Sequence, residues 1–228
     1  MPNKVDRKDL KEIIRWDVKN WGKALDFWDA HFALQPGMRV LALGEREGGL
    51  SYYFASEDCL VESSDYVDFP ETTRDFHAEK GVADRINYHK IDMRHIDFPE
   101  DCFDIVVFKS VLGALGNKSD QDKAIHEIVR VLKKGGALLF AENATGSPFH
   151  KFMRKRYVRW GNRWRYISSE DIEGWSSHFS KSHVKTFGST AVFGRSEKQR
   201  ERMGSLDTVL SPITPKNWRY IYFGVMIK

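Results

Sequence analysis

The chain has 228 residues with 36 Lys and Arg against 32 Asp and Glu, a formal net charge of +4, too slight by itself to imply a nucleic-acid partner. Its 41% hydrophobic and 30% charged content is that of an ordinary soluble protein, and no apolar run approaches the roughly 18 residues of a membrane span. Met1–Asp9 lacks the apolar core of a secretion signal, and the two cysteines, Cys59 and Cys102, give no metal spacing, so reduced thiols in a cytoplasmic protein are expected.

Residues 5–34 place apolar groups at helical spacing, first Leu10, Ile13, Ile14 and Trp16, then Trp21, Leu25, Trp28 and Phe32, with a break near Gly22. Residues 1–36 thus read as a helical cap that packs on a sheet or covers a ligand mouth. The turn Gln35-Pro36-Gly37 leads into Arg39-Val40-Leu41-Ala42-Leu43, a strand that ends abruptly at Gly44. Gly48 and Gly49 follow, then a helix over Leu50–Ser56. A buried parallel strand, a glycine turn and a helix N-terminus are what a nucleotide-binding corner needs, although Gly-x-x-x-Gly also occurs wherever a tight turn is required.

A second strand over Cys59–Ser64 ends in Asp65, 17 residues beyond Gly48, near the offset at which an acid meets ribose hydroxyls; Glu62 is the second candidate. Residues 70–84 read as helix and Ile86–Ile91 as a third strand ending in Asp92-Met93. Phe103–Phe108 is the clearest strand, followed by Lys109-Ser110 and a glycine-containing loop, Leu112–Gly116. Ala124–Leu132 is an apolar-periodic helix that Lys133-Lys134-Gly135-Gly136 terminates, and Ala137–Ala141 is a fifth strand ending in Glu142-Asn143. Strands alternating with helices predict a mainly parallel α/β sheet whose strand ends carry the site.

Residues 151–165 hold seven Lys or Arg and no acid, interleaved with Phe152, Tyr157, Trp160 and Trp164. They form a substrate-side insertion over residues 143–168: either an acceptor-binding lid that offers Arg154, Arg156, Arg163, Trp164, Arg165 and Tyr166 to an anionic acceptor, or a solvated basic helix with core aromatics. Downstream, a helix over Ser169–Phe179 starts at Ser168 or Ser169, Val184–Phe187 and Tyr220–Ile227 are strands, and Ser196–Leu210 is a mixed-charge helix. No linker or repeat divides the chain, so one domain over residues 1–228 is expected.

Together, Val40-Leu41-Ala42-Leu43-Gly44-x-x-x-Gly48, Asp65, Ile91-Asp92-Met93, Phe103–Val107 and Arg130–Gly136 resemble the class I, Rossmann-like S-adenosylmethionine-dependent methyltransferases. The resemblance implies a seven-stranded, mostly parallel sheet with helices on both faces and the last strand, Trp218–Ile227, antiparallel. It implies that Gly44, Glu45, Arg46, Glu47 and Gly48 wrap the methionine part of S-adenosyl-L-methionine. Asp65 would take the ribose hydroxyls, Asp92 and the Met93 backbone the adenine, and Lys109-Ser110 would lie beside the cofactor, chiefly through backbone. The family usually has glycine at position 46 and an acid at position 42; here Arg46 either narrows the pocket or turns outward, leaving the cofactor's ammonium to Glu45 or Glu47.

Gly44–Ser51 together with Trp160-Gly161-Asn162 and Trp164-Arg165-Tyr166 is further similar to methyltransferases encoded with bacterial surface-polysaccharide genes. That likeness points to O-methylation of an anionic saccharide or related small metabolite. Peripheral membrane contact is compatible with it. Glu142 and His150 are the candidate bases, with His178 behind them. Glu142-Asn143 is similar to part of a magnesium site in catechol-type enzymes, yet Lys109 stands where a further carboxylate would be needed, so no metal is expected. The rival readings are an RNA methyltransferase and a non-catalytic partner that retains the fold. Against methylation of base amino groups or cytosine carbon, Phe108-Lys109-Ser110-Val111 carries neither Asn/Asp-Pro-Pro-aromatic nor Pro-Cys.

Overall fold

The computed structural model describes residues 9–158 and 163–228; Trp160, Gly161 and Asn162 lie outside the described residues. Three short helices open it: α1 (Leu10–Ile14), α2 (Val18–Trp21) and α3 (Lys23–His31). Then β1 (Arg39–Leu43), α4 (Gly49–Ser56), β2 (Leu60–Asp65), α5 (Glu71–Glu79), β3 (Ile86–Lys90), β4 (Phe103–Lys109), α6 (Lys118–Val131) and β5 (Leu132–Asn143) alternate along the chain. The remainder is α7 (Pro148–Tyr157), α8 (Ser169–Ser176), β6 (Lys181–Phe187), α9 (Glu197–Leu210) and β7 (Ile221–Ile227).

One sheet of seven strands runs β3-β2-β1-β4-β5-β7-β6. The strands from β3 to β5 are parallel, and β7 is antiparallel to both β5 and β6. The expected seven-stranded architecture with an antiparallel last strand is therefore present. Alternation in the central strands splits the core: Val40, Ala42, Ile105 and Val107 face α1, α3 and α4, whereas Leu41, Leu43, Val106 and Phe108 face α6 and α8. No helix among the described residues is long and apolar enough to cross a membrane.

Most element boundaries follow the sequence pattern, with instructive departures. The N-terminal segment breaks not only at Gly22 but also between α1 and α2, where Arg15 (φ 64°) and Asp17 (φ 46°) adopt left-handed backbone that apolar spacing does not signal. Helix α6 ends at Val131, but Lys133–Gly136 continue as strand because Gly135 N–H donates to Lys228 O (3.0 Å) and Lys228 N–H to Gly136 O (3.0 Å) at the chain's end. Helix α8 is capped by Ser168, whose hydroxyl accepts from Asp171 N–H while the Asp171 carboxylate accepts from Ser168 N–H. Cys59 is buried, Cys102 is partly exposed, and both are free thiols.

Candidate functional site

The carboxyl ends of β1 and β4 meet α1 around a cavity of about 200 Å3, lined by Ile13, Ile14 and Arg15, the loop from Gly44 to Gly49, and Lys109. A larger hollow of about 580 Å3 lies between α1–α3 and α9. None of the strand ends lines it, so the smaller cavity is the one at the sheet's ligand edge.

Gly44 and Gly48 both hold φ of +72°, which costs an L side chain strain, and a Cβ on either would come within 2.4 Å of Val111 or His77. The loop is pinned from below by Glu45 N–H donating to Ser64 O (2.9 Å), and Gly48 N–H closes it onto Glu45 O (2.7 Å). His77 on α5 is a support the sequence did not signal. Its Nε2 lies 2.9 Å from Gly48 O and its Nδ1 2.7 Å from Tyr88 Oη. A neutral ring donating to the carbonyl and accepting from the phenol satisfies both contacts, and burial lowers its pKa accordingly. Thr73 Oγ1 donates to Arg46 O (2.7 Å) on the same turn.

The three charged residues of the loop take different positions. Arg46 is exposed and is among the residues that line the cavity. Glu45 is buried and its Oε2 accepts from Ser51 N–H (2.9 Å) at the start of α4. Glu47 is exposed and paired with Arg15 (3.3 Å), which also donates to Glu47 O (3.2 Å), so α1 is latched onto the loop.

Lys109 differs from all of these. It is partly buried at the end of β4, and among the described residues its ammonium has neither an ion pair nor a hydrogen bond; the indole of Trp21 lies 5.8 Å away. Removal from water pulls its pKa below the usual lysine range, an effect that Glu45, Glu47 and Glu142 oppose from a distance.

At the end of β2, Asp65 is partly exposed and uses one oxygen to accept from Val67 N–H (3.1 Å). Glu62 lies inside the strand, clasped by Arg39 (3.0 Å) and His89 (2.6 Å), so the strand-end acid is Asp65. Asp92 is gripped by Arg94 through Nη2 (2.6 Å) and Nε (2.9 Å), and Arg94 reaches on to Asp120 (3.0 Å). That bond holds the Asp92 carboxyl below the usual carboxylate range, so the free acceptor expected there has a partner instead. The Met93 side chain is buried in the core.

The two candidate bases both have hydrogen-bond partners. Glu142 is fully buried, with Oε2 accepting from Val111 N–H (2.8 Å) and Leu112 N–H (2.8 Å) and Oε1 from Asn143 N–H (2.8 Å). It fixes the turn after β4, and both oxygens already face N–H donors. His150 is equally committed: Nδ1 lies 2.7 Å from Ser147 Oγ in the capping box of α7, and Nε2 lies 2.9 Å from Ser189 O. Burial and the nearby Arg154 lower its pKa to about 4, so the ring is neutral at pH 7. His178 is exposed against His126.

The basic segment also divides. Arg165 is partly exposed and bonded to Gln121 and to the buried Asp171 (2.8 Å). Arg156 and Arg163 are exposed. Trp164 packs over Gly113 so closely that a Cβ there would collide with its indole, and Tyr166 stacks under the Arg154 guanidinium at 3.9 Å. Arg154 is itself buried, donates to Ala144 O (2.8 Å) and Thr145 O (2.9 Å) beyond β5, and has no acidic partner among the described residues. Trp164 and Arg165 both meet the turn after β4 at Gly113, the latter through its N–H to Gly113 O (2.9 Å), while Arg154 and Tyr166 lie beyond β5.

Residues 41–140 match the family model described as a methyltransferase domain. The matched segment runs from within β1 to within β5. The sheet that holds it has the Rossmann-like fold. Outside that segment the chain carries the α1–α3 cap, α7–α9 and strands β6 and β7.

Among curated proteins, the chain is similar to the ubiquinone/menaquinone biosynthesis C-methyltransferase UbiE of Shewanella frigidimarina (strain NCIMB 400), 32% identical over 157 residues covering 64% of this chain and 59% of that protein. The corresponding protein of Shewanella piezotolerans is 35% identical over 127 residues, 54% of this chain and 49% of its own. The chain therefore spans about half to three-fifths of the length of these relatives. Both carry quinone-biosynthesis names, so kinship with surface-polysaccharide enzymes gains no support from them.

Among solved structures, Haemonchus contortus phosphoethanolamine N-methyltransferase 2, in complex with phosphomonomethylethanolamine and S-adenosylhomocysteine, superposes with a TM-score of 0.65 at 17% identity, over 91% of this chain and 52% of that one. The [4+2]-cyclase SpnF superposes with a TM-score of 0.61 at 18% identity, over 90% of this chain and 80% of its own. These likenesses show the fold; a cyclase among them shows that the fold hosts more than one chemistry.

Proposed function

We propose that the chain is an S-adenosylmethionine-dependent methyltransferase acting on an anionic acceptor at the carboxyl ends of β4 and β5. The observation that carries the reading is the cradle itself: two left-handed glycines where a Cβ would collide, opposite a partly buried lysine with no ion pair among the described residues. Such a cradle fits a ligand with a carboxylate tail, and the S-adenosyl cofactor has one. Lys109 would receive that carboxylate through its side chain, Gly44–Gly48 would wrap the methionine part, and Asp65 would take the ribose hydroxyls. When bound, the cofactor supplies an electrophilic methyl group on a sulfonium.

Displacement at that methyl needs the acceptor atom held in line more than it needs proton transfer. Glu142 and His150 are both engaged, which favours an acceptor whose reacting oxygen or adjacent carbon is already electron-rich, as in a phenolate or enolate. The curated relatives, named as C-methyltransferases, are compatible with this reading. O-methylation of a neutral saccharide hydroxyl would call for a base that neither residue is free to supply. Arg154 over Tyr166, beyond β5, supports the anionic character of the acceptor.

Calorimetry of the purified chain with S-adenosylhomocysteine tests the reading. Saturable one-to-one binding is the expected result; no heat and no thermal shift would overturn it and leave a fold without its cofactor.

A further inference from the structure

Helix α7 presents two contrasting faces. His150 and Arg154 point inward and are buried, whereas Phe149, Phe152 and Tyr157 are 57%, 60% and 68% exposed. Phe149 and Phe152, three residues apart, lie on one stripe of the helix, and the exposed Lys151, Lys155 and Arg156 flank it. A second apolar group lies on the last turn of α9 and the segment after it, where Val209 is 72%, Ile213 79% and Trp218 47% exposed, with Lys216 beside them.

Both groups border one turn, residues 189–193. His150 Nε2 is bonded to Ser189 O (2.9 Å), Ser189 Oγ donates to Thr214 Oγ1 (3.1 Å), and the Phe149 ring lies 5.1 Å from that of Phe193. The sequence places both groups where acids are missing. No Asp or Glu stands between Glu142 and Glu170, and none follows Asp207.

We propose that this surface docks the protein on an anionic lipid bilayer. Aromatic rings projecting from a short amphipathic helix insert at headgroup depth, while the neighbouring lysine and arginine ammonium and guanidinium groups meet lipid phosphates. An RNA partner would explain the cations but not Val209 and Ile213, which cannot stack on bases. A protein partner with no net charge would explain the apolar groups but not the absence of acids. The surface lies on the side of α7 opposite Arg154, so docking sets the ends of β4 and β5 close to the membrane, where a lipid-soluble acceptor would enter. The inference concerns the surface alone and stands whether or not the cofactor reading does.

The test is co-sedimentation of the intact chain, without cofactor, with phosphatidylcholine vesicles with and without phosphatidylglycerol. Binding is expected only when phosphatidylglycerol is present, and it should weaken as salt is raised. K151Q/K155Q/R156Q should lose about a hundredfold in partition, from roughly one surface cation's attraction per residue, and F149S/F152S at least about tenfold. Both variants change exposed side chains, and a circular-dichroism melt matching wild type certifies their fold. Absence of wild-type binding, or unchanged binding by both variants, overturns the proposal. So does steeply salt-dependent RNA binding without vesicle binding, which would give the surface to nucleic acid. A doubled solution mass that F149S/F152S abolishes, again without vesicle binding, would give it to a second copy of the chain.

Discussion

Lys109→Met separates two roles that a cavity lysine can have. In the free protein its ammonium is partly buried without an ion pair or hydrogen bond among the described residues, so it is a cost to folding rather than a support. Methionine keeps the unbranched stem and removes the charge. The variant should therefore melt at the same temperature or higher, a gain of 1 kcal/mol corresponding to about 2–4 °C for a chain of this size. Ligand binding should move the other way. A hydrogen bond to a charged group contributes about 1.5–3 kcal/mol, so loss of the ammonium should weaken S-adenosylhomocysteine by about 10- to 150-fold.

Methylthioadenosine carries the nucleoside and the sulfur but not the amino-acid tail, so its affinity should not change. Calorimetry with both ligands, alongside scanning fluorimetry of the free protein, reads all three quantities. An unchanged S-adenosylhomocysteine affinity, or an equal loss for both ligands, would refute the assignment of the Lys109 side chain to the carboxylate. A large drop in melting temperature would refute the claim that the ammonium is unpaired.

Two further substitutions probe groups that look catalytic or titratable but are read here as structural. Glu142→Gln brings an NH2 group against backbone N–H donors of Val111 and Leu112 or of Asn143. It should cost about 2 kcal/mol and roughly 4–8 °C in thermal melts, whereas loss of turnover at unchanged melting temperature would restore Glu142 as a base. Asp17 is buried beside Tyr220, and desolvation, aided by Glu197 and Asp207, raises its pKa from 3.8 to about 7 against the hydrogen bond from Tyr220. The folded state therefore holds a proton that the unfolded chain releases between those values, and this contribution to stability falls as pH rises from about 4 to about 7. Asp17→Asn cannot ionise, so its melting temperature should gain on wild type from pH 5 to pH 8; a pH-independent difference would contradict the shift.

The core of the sheet was legible because each of its strands is a local pattern. Val40–Leu43 and Ile105–Phe108 are unbroken apolar runs, and a strand buried on both faces needs nothing else to be recognised. The glycines at 44 and 48 were legible for a similar reason, since left-handed backbone is a property of the residue as well as of its surroundings. The strand-end position of Asp65 followed from the apolar strand before it and its offset from Gly48, with Glu62 left open until the strand's bounds were seen.

What the sequence could not carry is which polar atoms meet. Glu142 is a plausible base by position, but its Oε2 accepts from N–H groups 31 and 30 residues earlier that only the β4–β5 pairing brings near. His150 has the composition of an acid–base residue, yet the turn at Ser189, joined to it by sheet topology rather than by neighbourhood, takes its second nitrogen. Arg154, Arg156 and Arg165 are one residue type in one basic run, and helical phase with tertiary partners makes the first a buried stack on Tyr166, the second an exposed cation and the third a strut to Asp171. Local apolar pattern and glycine thus determined the sheet and its ligand turn, because backbone geometry and burial are largely short-range choices. Partnership among charges was left to the tertiary structure, because hydrogen bonds and desolvation depend on atoms that sequence separation does not order.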